Sequence, residues 1–595
     1  MYVVYNGKLN QILTRYGIEI IEESKLNDNL DLSVKGILTE NCAGKRCALW
    51  GAGRMNTTSS HAAILIGKYA TYLQNLVCII DSDPQIQGKE FLGYPIIAPE
   101  EIVNYDIEIV VISSKNSSTS IIESLRQVSP YSKYVDIYGE LRKKGIEVFN
   151  NFFDERSIYT YIYDLQNRYR MTETASEKEE ILQKLIEYYF SIRDFYFANY
   201  YLDQYISNKY RNYKEYIALR KEVEQLLEEI RAVNEEKTED VSIFYIDALR
   251  AKDVFDEDTG DIKMFHRYAI CADIYTNVYS VGATTYESMV SSILGKYPLE
   301  CDVYSKNFLR KFEEFALLQK VYNSGYKINW MVSDCYRLIE DDEKADFDIQ
   351  IYMSKKLWNL VCSIAESNQK TFNFVYFPYE IHCPMLCGFH SIKPVIRGFS
   401  NIGIEDFPES IEQQYQDCLF YTDKQFDFYY ELLGKNTKKI IFSDHSQVVY
   451  DRDNNCKSYN MYYKYKELTS HIPVIVSKET KEMRRHDDFY SMVDMNQLFW
   501  AMIRDQDVTA LAKDIIRYQY YPIHSAKIRT HCKNHGFEDY IEGMDIFASK
   551  DYIYIKTGTG IEELYRHTNL NTNIITTEEG QAFKSLVVSS FNQVL

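Results

Sequence analysis

The sequence predicts an α/β protein built from two αβ units with a helical stretch between them. Three observations carry this. Short apolar runs alternate with helical stretches between residues 41 and 150. Apolar positions recur at helical spacing between residues 151 and 238. From Val241 onward, three apolar runs each deliver polar side chains at their carboxyl ends. Strands alternating with helices point to parallel sheets, because a parallel connection requires a crossover. At about 100–200 residues per domain, 595 residues suggest three or four domains. The expected division is 1–40 (N-terminal segment), 41–150 (first αβ unit), 151–238 (helical linker) and 239–595 (second, larger αβ unit).

In the first unit, Cys47–Trp50 reads as a strand and Gly51-Ala52-Gly53 as the turn beyond it. A helix through His61 to Leu73 follows. Leu76–Ile80 reads as a second strand, ending at Asp81, and Ile109–Ile112 as a third. A glycine turn before a helix lets backbone N–H groups approach an anion. Gly51 and Gly53 fill two places of a dinucleotide-binding glycine pattern, with Asn56 in the third, and Asp81 stands where such folds hold a ribose hydroxyl. The alternative is an αβ unit whose acid merely ends a strand. Together with Gly93-Tyr-Pro95 through Pro99, these residues resemble the small Rossmann-like domains attached to enzymes that modify bacterial surface polysaccharides. That resemblance implies a nucleotide or nucleotide sugar as ligand, or a vestigial site.

In the helical stretch, Ser176-Glu-Lys-Glu179 fits a capping box. Val223, Leu226, Leu227 and Ile230 form one apolar stripe. A repeat-like spacer or docking surface is expected, serving a homo-oligomer or partners in polysaccharide assembly. The polar run 234–240 reads as its boundary.

The net charge of −19 argues against broad nucleic-acid binding, which needs basic surface. No run approaches the ~20 apolar residues of a membrane helix, and the first residues lack a secretory pattern. A cytoplasmic protein without an integral membrane segment is expected. The 12 cysteines include no CxxC and read as reduced thiols. Cys383 and Cys387, beside His382, are spaced for zinc, although buried thiols are the commoner outcome. The 53 tyrosines have no account at this level.

The chemistry concentrates after Val241. Val241–Ile246 ends at Asp247, Phe372–Phe377 runs toward His382, and Lys439–Phe442 ends at Asp444-His445. Ligands bind at the carboxyl ends of strands in open α/β sheets. A carboxylate and an imidazole suit a divalent cation such as zinc or manganese. Thr284 and Thr285 open a helical pattern after Ser280-Val-Gly282-Ala. There a hydroxyl meets the positive end of a helix, and a cation can make it nucleophilic. An N-cap is the plainer role for either threonine. His382 is a candidate to contact phosphoryl oxygens or to protonate a leaving group. His390 and His471 are weaker candidates.

In this order, the pieces resemble the alkaline phosphatase and sulfatase superfamily. Ile246-Asp247 looks like its first metal-ligand motif, and Gly282-Ala-Thr284-Thr285 like its nucleophile turn. His382-Cys-Pro384 looks like its His-x-Pro, and Asp444-His445 like its Asp-His-Gly. The segments 472–476, 491–497 and 552–565 resemble the family's later strand, helix start and C-terminal hairpin. The resemblance covers about residues 241–575 and implies Asp247, Thr285, Asp444 and His445 as metal ligands and Thr285 as nucleophile. Thr285-Tyr-Glu-Ser288 lacks the Cys/Ser-x-Pro-x-Arg run of formylglycine sulfatases. Threonine with serine three residues on resembles the phosphoethanolamine and phosphoglycerol transferases, which form a phospho-threonine intermediate. Those transferases are membrane-tethered, and no tether is read here. Ala248 stands where sulfatases have a second Asp, and Ser446 where the family has glycine.

The leading expectation is a metal-dependent phosphotransferase moving a phosphoryl-linked group from a phosphodiester donor to a glycan acceptor. Two alternatives stand beside it: a phosphodiesterase or phosphatase using the same residues, and an inactive scaffold for polysaccharide assembly, motivated by Ala248 and Ser446.

Overall fold

The computed structural model describes residues 3–21, 28–55, 60–114, 117–144, 158–256, 259–301, 309–333, 337–382, 385–392, 394, 410–447, 470–478, 482–523, 526–534 and 536–591. Packing divides it into two units, the smaller built on Glu19–Ser191 and the larger on Met1–Ile18, Ile192–Val395 and Ile402–Leu595.

The smaller unit holds strands β1 (Cys47–Trp50), β2 (Leu76–Ile80), β3 (Glu90–Phe91), β4 (Tyr94–Ile97), β5 (Ile109–Ile112) and β6 (Lys133–Asp136) in the order β3-β4-β2-β1-β5-β6. Only β3 runs antiparallel to its neighbour. The five parallel strands follow the 3-2-1-4-5 order of a doubly wound sheet. Both faces are covered, which is why β1 and β5 are apolar throughout. Leu30, Val34 and Leu38 pack with Leu49 and Val111 on one side, and Ile121 and Leu125 with Trp50 and Ile112 on the other.

The segment 1–40, expected as one leading element, is shared between the units. The helix Val3–Arg15 belongs to the larger one, where Leu9 and Leu13 are buried. The helix Asp28–Cys42 supplies Leu30, Val34, Ile37 and Leu38 to the core of the smaller one. The stretch 151–238 is likewise divided at Ser191. Helices Ile158–Met171 and Ala175–Ser191 fall in the smaller unit, and Phe195–Ser207 and Tyr213–Glu235 in the larger. Aromatic packing explains the break. Phe195 lies 5.2 Å from Trp358, and Phe197 stacks on Phe389 at 5.3 Å. The stripe Val223, Leu226, Leu227 and Ile230 is buried, as its spacing predicts. The polar run from Asn234 is anchored, because buried Asn234 donates to the Val361 and Leu432 carbonyls at 3.0 and 2.8 Å. Ser176 lies inside the helix that begins at Ala175, so it is not the cap.

The larger unit carries β7 (Val241–Ile246), β8 (Ala272–Tyr279), β9 (Lys327–Val332), β10 (Ala345–Ile349), β11 (Thr371–Phe377), β12 (Lys438–Phe442), β13 (His471–Ser477) and β14 (Arg484–Ser491). Their order is β10-β9-β11-β7-β12-β13-β8-β14. The strands from β10 to β12 are parallel, and β13 is antiparallel to both its neighbours. The central trio β11-β7-β12 therefore ends side by side, with Phe377 opposite Ile246 and Phe442 opposite Tyr245. Asp247, His382 and Asp444-His445 all follow these three strands. A four-stranded antiparallel sheet completes the unit: β15 (Ile516–Tyr520), β16 (Met544–Ala548), β17 (Tyr552–Thr557) and β18 (Glu562–Arg566). No helix among the described residues is long and apolar enough to cross a membrane.

Candidate active site

The site grows from the end of β7. The Asp247 N–H donates to the Phe377 carbonyl at 3.1 Å, continuing the β7–β11 ladder. The chain then turns sharply. Ala248 takes φ +60, a left-handed conformation that costs a non-glycine residue about 1 kcal/mol. Its N–H donates to Asp444 Oδ1 at 3.2 Å, and the Leu249 N–H donates to Ser443 Oγ at 3.0 Å. Ala248 thus joins the β7 turn to the β12 turn through its backbone.

The threonine turn is equally constrained. A Cβ on Gly282 would sit 2.6 Å from Glu287 Cβ and 2.9 Å from its backbone carbon, so only glycine fits. Thr284 is the N-cap of the helix Thr285–Leu294, its side chain accepting from the Glu287 N–H at 3.5 Å. That leaves the hydroxyl of buried Thr285 to another partner, and it donates to Asp247 Oδ2 at 3.4 Å. Ser288 is committed structurally, donating to the Asp444 carbonyl at 2.5 Å with Ser280 Oγ 2.8 Å away.

Asp444 and His445 lie past β12, both buried. His445 Nδ1 is 2.9 Å from the Ser446 carbonyl, which places the ring proton on Nδ1 and the lone pair on Nε2. That lone pair faces Asp444 Oδ2 at 3.4 Å and Asp247 Oδ1 at 3.6 Å. Asp247 Oδ1 is buried without a hydrogen-bond partner. Burial, followed by the charge of Asp444, holds the Asp247 carboxyl well above the usual range. An imidazole lone pair beside two carboxylates, with Asp247 Oδ1 lacking any hydrogen-bond donor, is a donor set that suits a divalent cation.

Sequence reasoning named Asp247, Thr285, Asp444, His445 and His382, and the structure brings them together. Asp247, His382 and His445 offer ligand atoms within 4.8 Å of one another, and the His382 ring lies 6.2 Å from that of His445. Cys383 and Pro384 lie outside the described residues. Ser446 is buried and is not among the positive-φ residues, so this turn does not require a glycine. His471 is structural: Nε2 meets the Thr276 carbonyl at 2.6 Å and the ring stacks on Tyr279.

Two site residues were missed. Tyr376 donates to Asp247 Oδ2 at 2.5 Å and Tyr245 to Asp444 Oδ2 at 2.6 Å. The available signal was position. Tyr245 shares a strand face with Asp247, and a tyrosine buried in a central strand needs a partner for its hydroxyl.

In the smaller unit, Gly53 takes φ +59, and a Cβ there would fall 2.4 Å from Ser60 Cβ. The Gly51 N–H donates to the Ile80 carbonyl at 2.8 Å. Both Asp81 oxygens accept backbone N–H groups, from Ala52 at 2.8 Å and Asp83 at 3.0 Å. A ribose hydroxyl would compete with two backbone donors there. Asn56, third in the expected pattern, lies outside the described residues.

Residues 43–135 match the family model described as C2185-like, N-terminal. The chain matches no curated protein. Among solved structures it is similar to the phosphonate monoester hydrolase SpPMH from Silicibacter pomeroyi, at 11% identity and TM-score 0.45, covering 59% of this chain and 94% of that one. It is similar to a putative sulfatase from Bacteroides thetaiotaomicron, at 13% identity and TM-score 0.44, covering 60% of this chain and 92% of that one. A protein in the alkaline phosphatase superfamily from Vibrio parahaemolyticus matches at 13% identity and TM-score 0.38, covering 62% of this chain and 95% of that one.

Proposed function

We propose that the larger unit is a metal-dependent phosphotransferase of the alkaline phosphatase superfamily, with Thr285 as its nucleophile. One observation carries the reading. Buried Asp247 presents Oδ1, without a hydrogen-bond partner, to the His445 Nε2 lone pair, while its Oδ2 accepts from Thr285. Asp247, Asp444 and His445 would hold one divalent cation, zinc or manganese by donor type, with His382 at its edge. When bound, such a cation lowers the pKa of a coordinated hydroxyl and offsets charge on a phosphoryl group.

The chain's own residues do the rest. Asp247 fixes the orientation of Thr285 Oγ1, the first residue of its helix. The helix N-terminus adds partial positive charge where phosphoryl oxygens would lie. Thr285 Oγ1 attacks phosphorus of a phosphodiester as the bond to the leaving oxygen breaks; the Thr285 proton passes to Asp247 Oδ2, which already accepts it, and His382 supplies the leaving oxygen's proton. A glycan hydroxyl then attacks the phospho-threonine and gives its proton to His382, while Thr285 Oγ1 leaves phosphorus and takes its proton back from Asp247, restoring all three residues. The smaller unit would hold a nucleotide-linked sugar beside the Gly51–Gly53 turn only by displacing bonds that the Gly51 N–H and both Asp81 oxygens already make within the fold.

Product analysis with the zinc- or manganese-loaded chain, a phosphodiester donor and candidate oligosaccharides tests the reading. A product with the phosphoryl-linked group on the sugar is expected. Free phosphorylated head group at equal yield with and without acceptor would instead assign hydrolysis, and turnover that survives Thr285→Ala would remove the nucleophile.

A further inference from the structure

A second set of metal-binding side chains lies apart from Asp247 and His445. Cys387, His390 and Cys418 each offer a ligand atom, and the three atoms lie within 4.8 Å of one another. All three residues are buried, none more than 1% exposed. They come from two places in the chain: Cys387 and His390 from the segment after β11 that also bears His382, and Cys418 from the helix Ser410–Tyr430.

The local geometry fits a metal better than a chance meeting of thiols. Cys387 Sγ is 3.8 Å from His390 Nε2. Zinc bonds of about 2.3 Å to sulfur and 2.0 Å to nitrogen at a tetrahedral angle would place the two atoms ~3.5 Å apart. His390 Nε2 accepts the Cys387 N–H at 3.2 Å, which marks it as the unprotonated ring nitrogen; a zinc ion would take that lone pair in place of the N–H. Nδ1 turns toward Asp417 Oδ2 at 3.9 Å. Asp417 is held in turn by the Ser391 N–H at 2.7 Å and by Gln413 Nε2 at 3.0 Å. The Nδ1–Asp417 distance is too long for a hydrogen bond, but it puts a carboxylate on the side of the far ring nitrogen, where such a group can orient a zinc-bound histidine once the ring settles on the metal.

We propose that Cys387 Sγ, Cys418 Sγ and His390 Nε2 bind a structural zinc ion, with Asp417 as the positioning carboxylate. Both thiols ionise on binding, so two protons pass to solvent for each zinc bound, and the two thiolates balance its charge. The carbonyl oxygens of Phe389 and Asp417, 2.9 and 3.9 Å from Cys387 Sγ, are at hand as a fourth donor. Such a site would clamp the segment after His382 to the long helix, independently of what the active site does. Cys383, expected from its spacing to pair with Cys387, lies outside the described residues and is not needed for it.

Cobalt substitution of the full chain tests this. Asp247, Asp444 and His445 carry no sulfur, so a thiolate-to-cobalt charge-transfer band in the near ultraviolet reports only a cysteine site. The chelator-stripped chain loaded with Co(II) should show the band, at the intensity of one thiolate-bound cobalt per chain and complete by two equivalents, since the Asp247 site also takes metal. Asp444→Asn should keep it, Cys387→Ser/Cys418→Ser should lose it, and Asp417→Asn should need about ten- to a hundredfold more metal. No band from the native chain at saturating cobalt would overturn the site, and that result requires no variant to fold. A band that survives the double cysteine variant, or that vanishes in Cys42→Ala/Cys47→Ala, would overturn it equally.

Discussion

Tyr245 and Tyr376 stack with ring centroids 4.2 Å apart, and each donates its hydroxyl to a different carboxylate of the site, Tyr245 to Asp444 and Tyr376 to Asp247. They are register partners on the neighbouring strands β7 and β11. Each hydroxyl fixes one carboxylate without adding charge. Burial and then the charges of Asp444 and Asp247 push the Tyr245 hydroxyl well above its ordinary pKa, so it stays a donor. Tyr245→Phe and Tyr376→Phe should each keep the fold and weaken metal binding by about ten- to a hundredfold, the usual cost of losing a partner of a ligand. Calorimetric titration of the stripped chain with zinc reads this, and wild-type affinity in both variants would show that the carboxylates do not depend on them.

The two adjacent threonines should separate cleanly. Thr284 caps its helix, and Thr285 faces Asp247. Thr284→Ala should cost about 1 kcal/mol of stability, the ordinary loss of an N-cap, and leave the nucleophile in place. Thr285→Ala should lower turnover on the order of 10³-fold or more with an unchanged melting temperature. Steady-state kinetics and thermal unfolding on the pair check this. Loss of activity in Thr284→Ala with a normal Thr285→Ala would exchange the assignments.

Asp194 offers a test of the scaffold. It caps the helix Phe195–Ser207, accepting from the Phe197 N–H at 3.0 Å. Burial raises its carboxyl to about 6, partly offset by that bond. The folded chain therefore holds this proton to higher pH than the unfolded chain does. Its contribution is fully present below pH ~4 and is lost as pH rises through about 6, an effect of roughly 2–3 kcal/mol. Asp194→Asn keeps an acceptor at the cap and removes the titration. Relative to wild type it should gain stability between pH 4 and 6 and hold that gain above. Urea unfolding across this range reads the difference, and parallel pH profiles would contradict it.

Much of this was legible along the chain. Apolar runs of four to eight residues marked β1, β2, β5, β7, β11 and β12, because strands covered on both faces carry no alternation. Each polar residue after β7, β11 and β12 could singly be a cap or turn residue; they stood out because three strands deliver them at the edge where open α/β sheets bind ligands. Their meeting was implied by the family resemblance alone and was not legible in any local pattern. It depends on β7 lying between β11 and β12, an order set by long-range packing rather than by any local pattern. The break at Ser191 was hidden for the same reason, since helical spacing says where a face is apolar but not which core receives it. Tyr245 and Tyr376 were lost among 53 tyrosines until register paired them.

Anomalous diffraction from crystals of the chelator-stripped chain reloaded with zinc tests the central claim most directly. The account predicts a peak about 2.0–2.2 Å from both Asp247 Oδ1 and His445 Nε2, within reach of Thr285 Oγ1. Zinc-saturated crystals with no peak between those two atoms would contradict it, whatever density lies elsewhere in the chain.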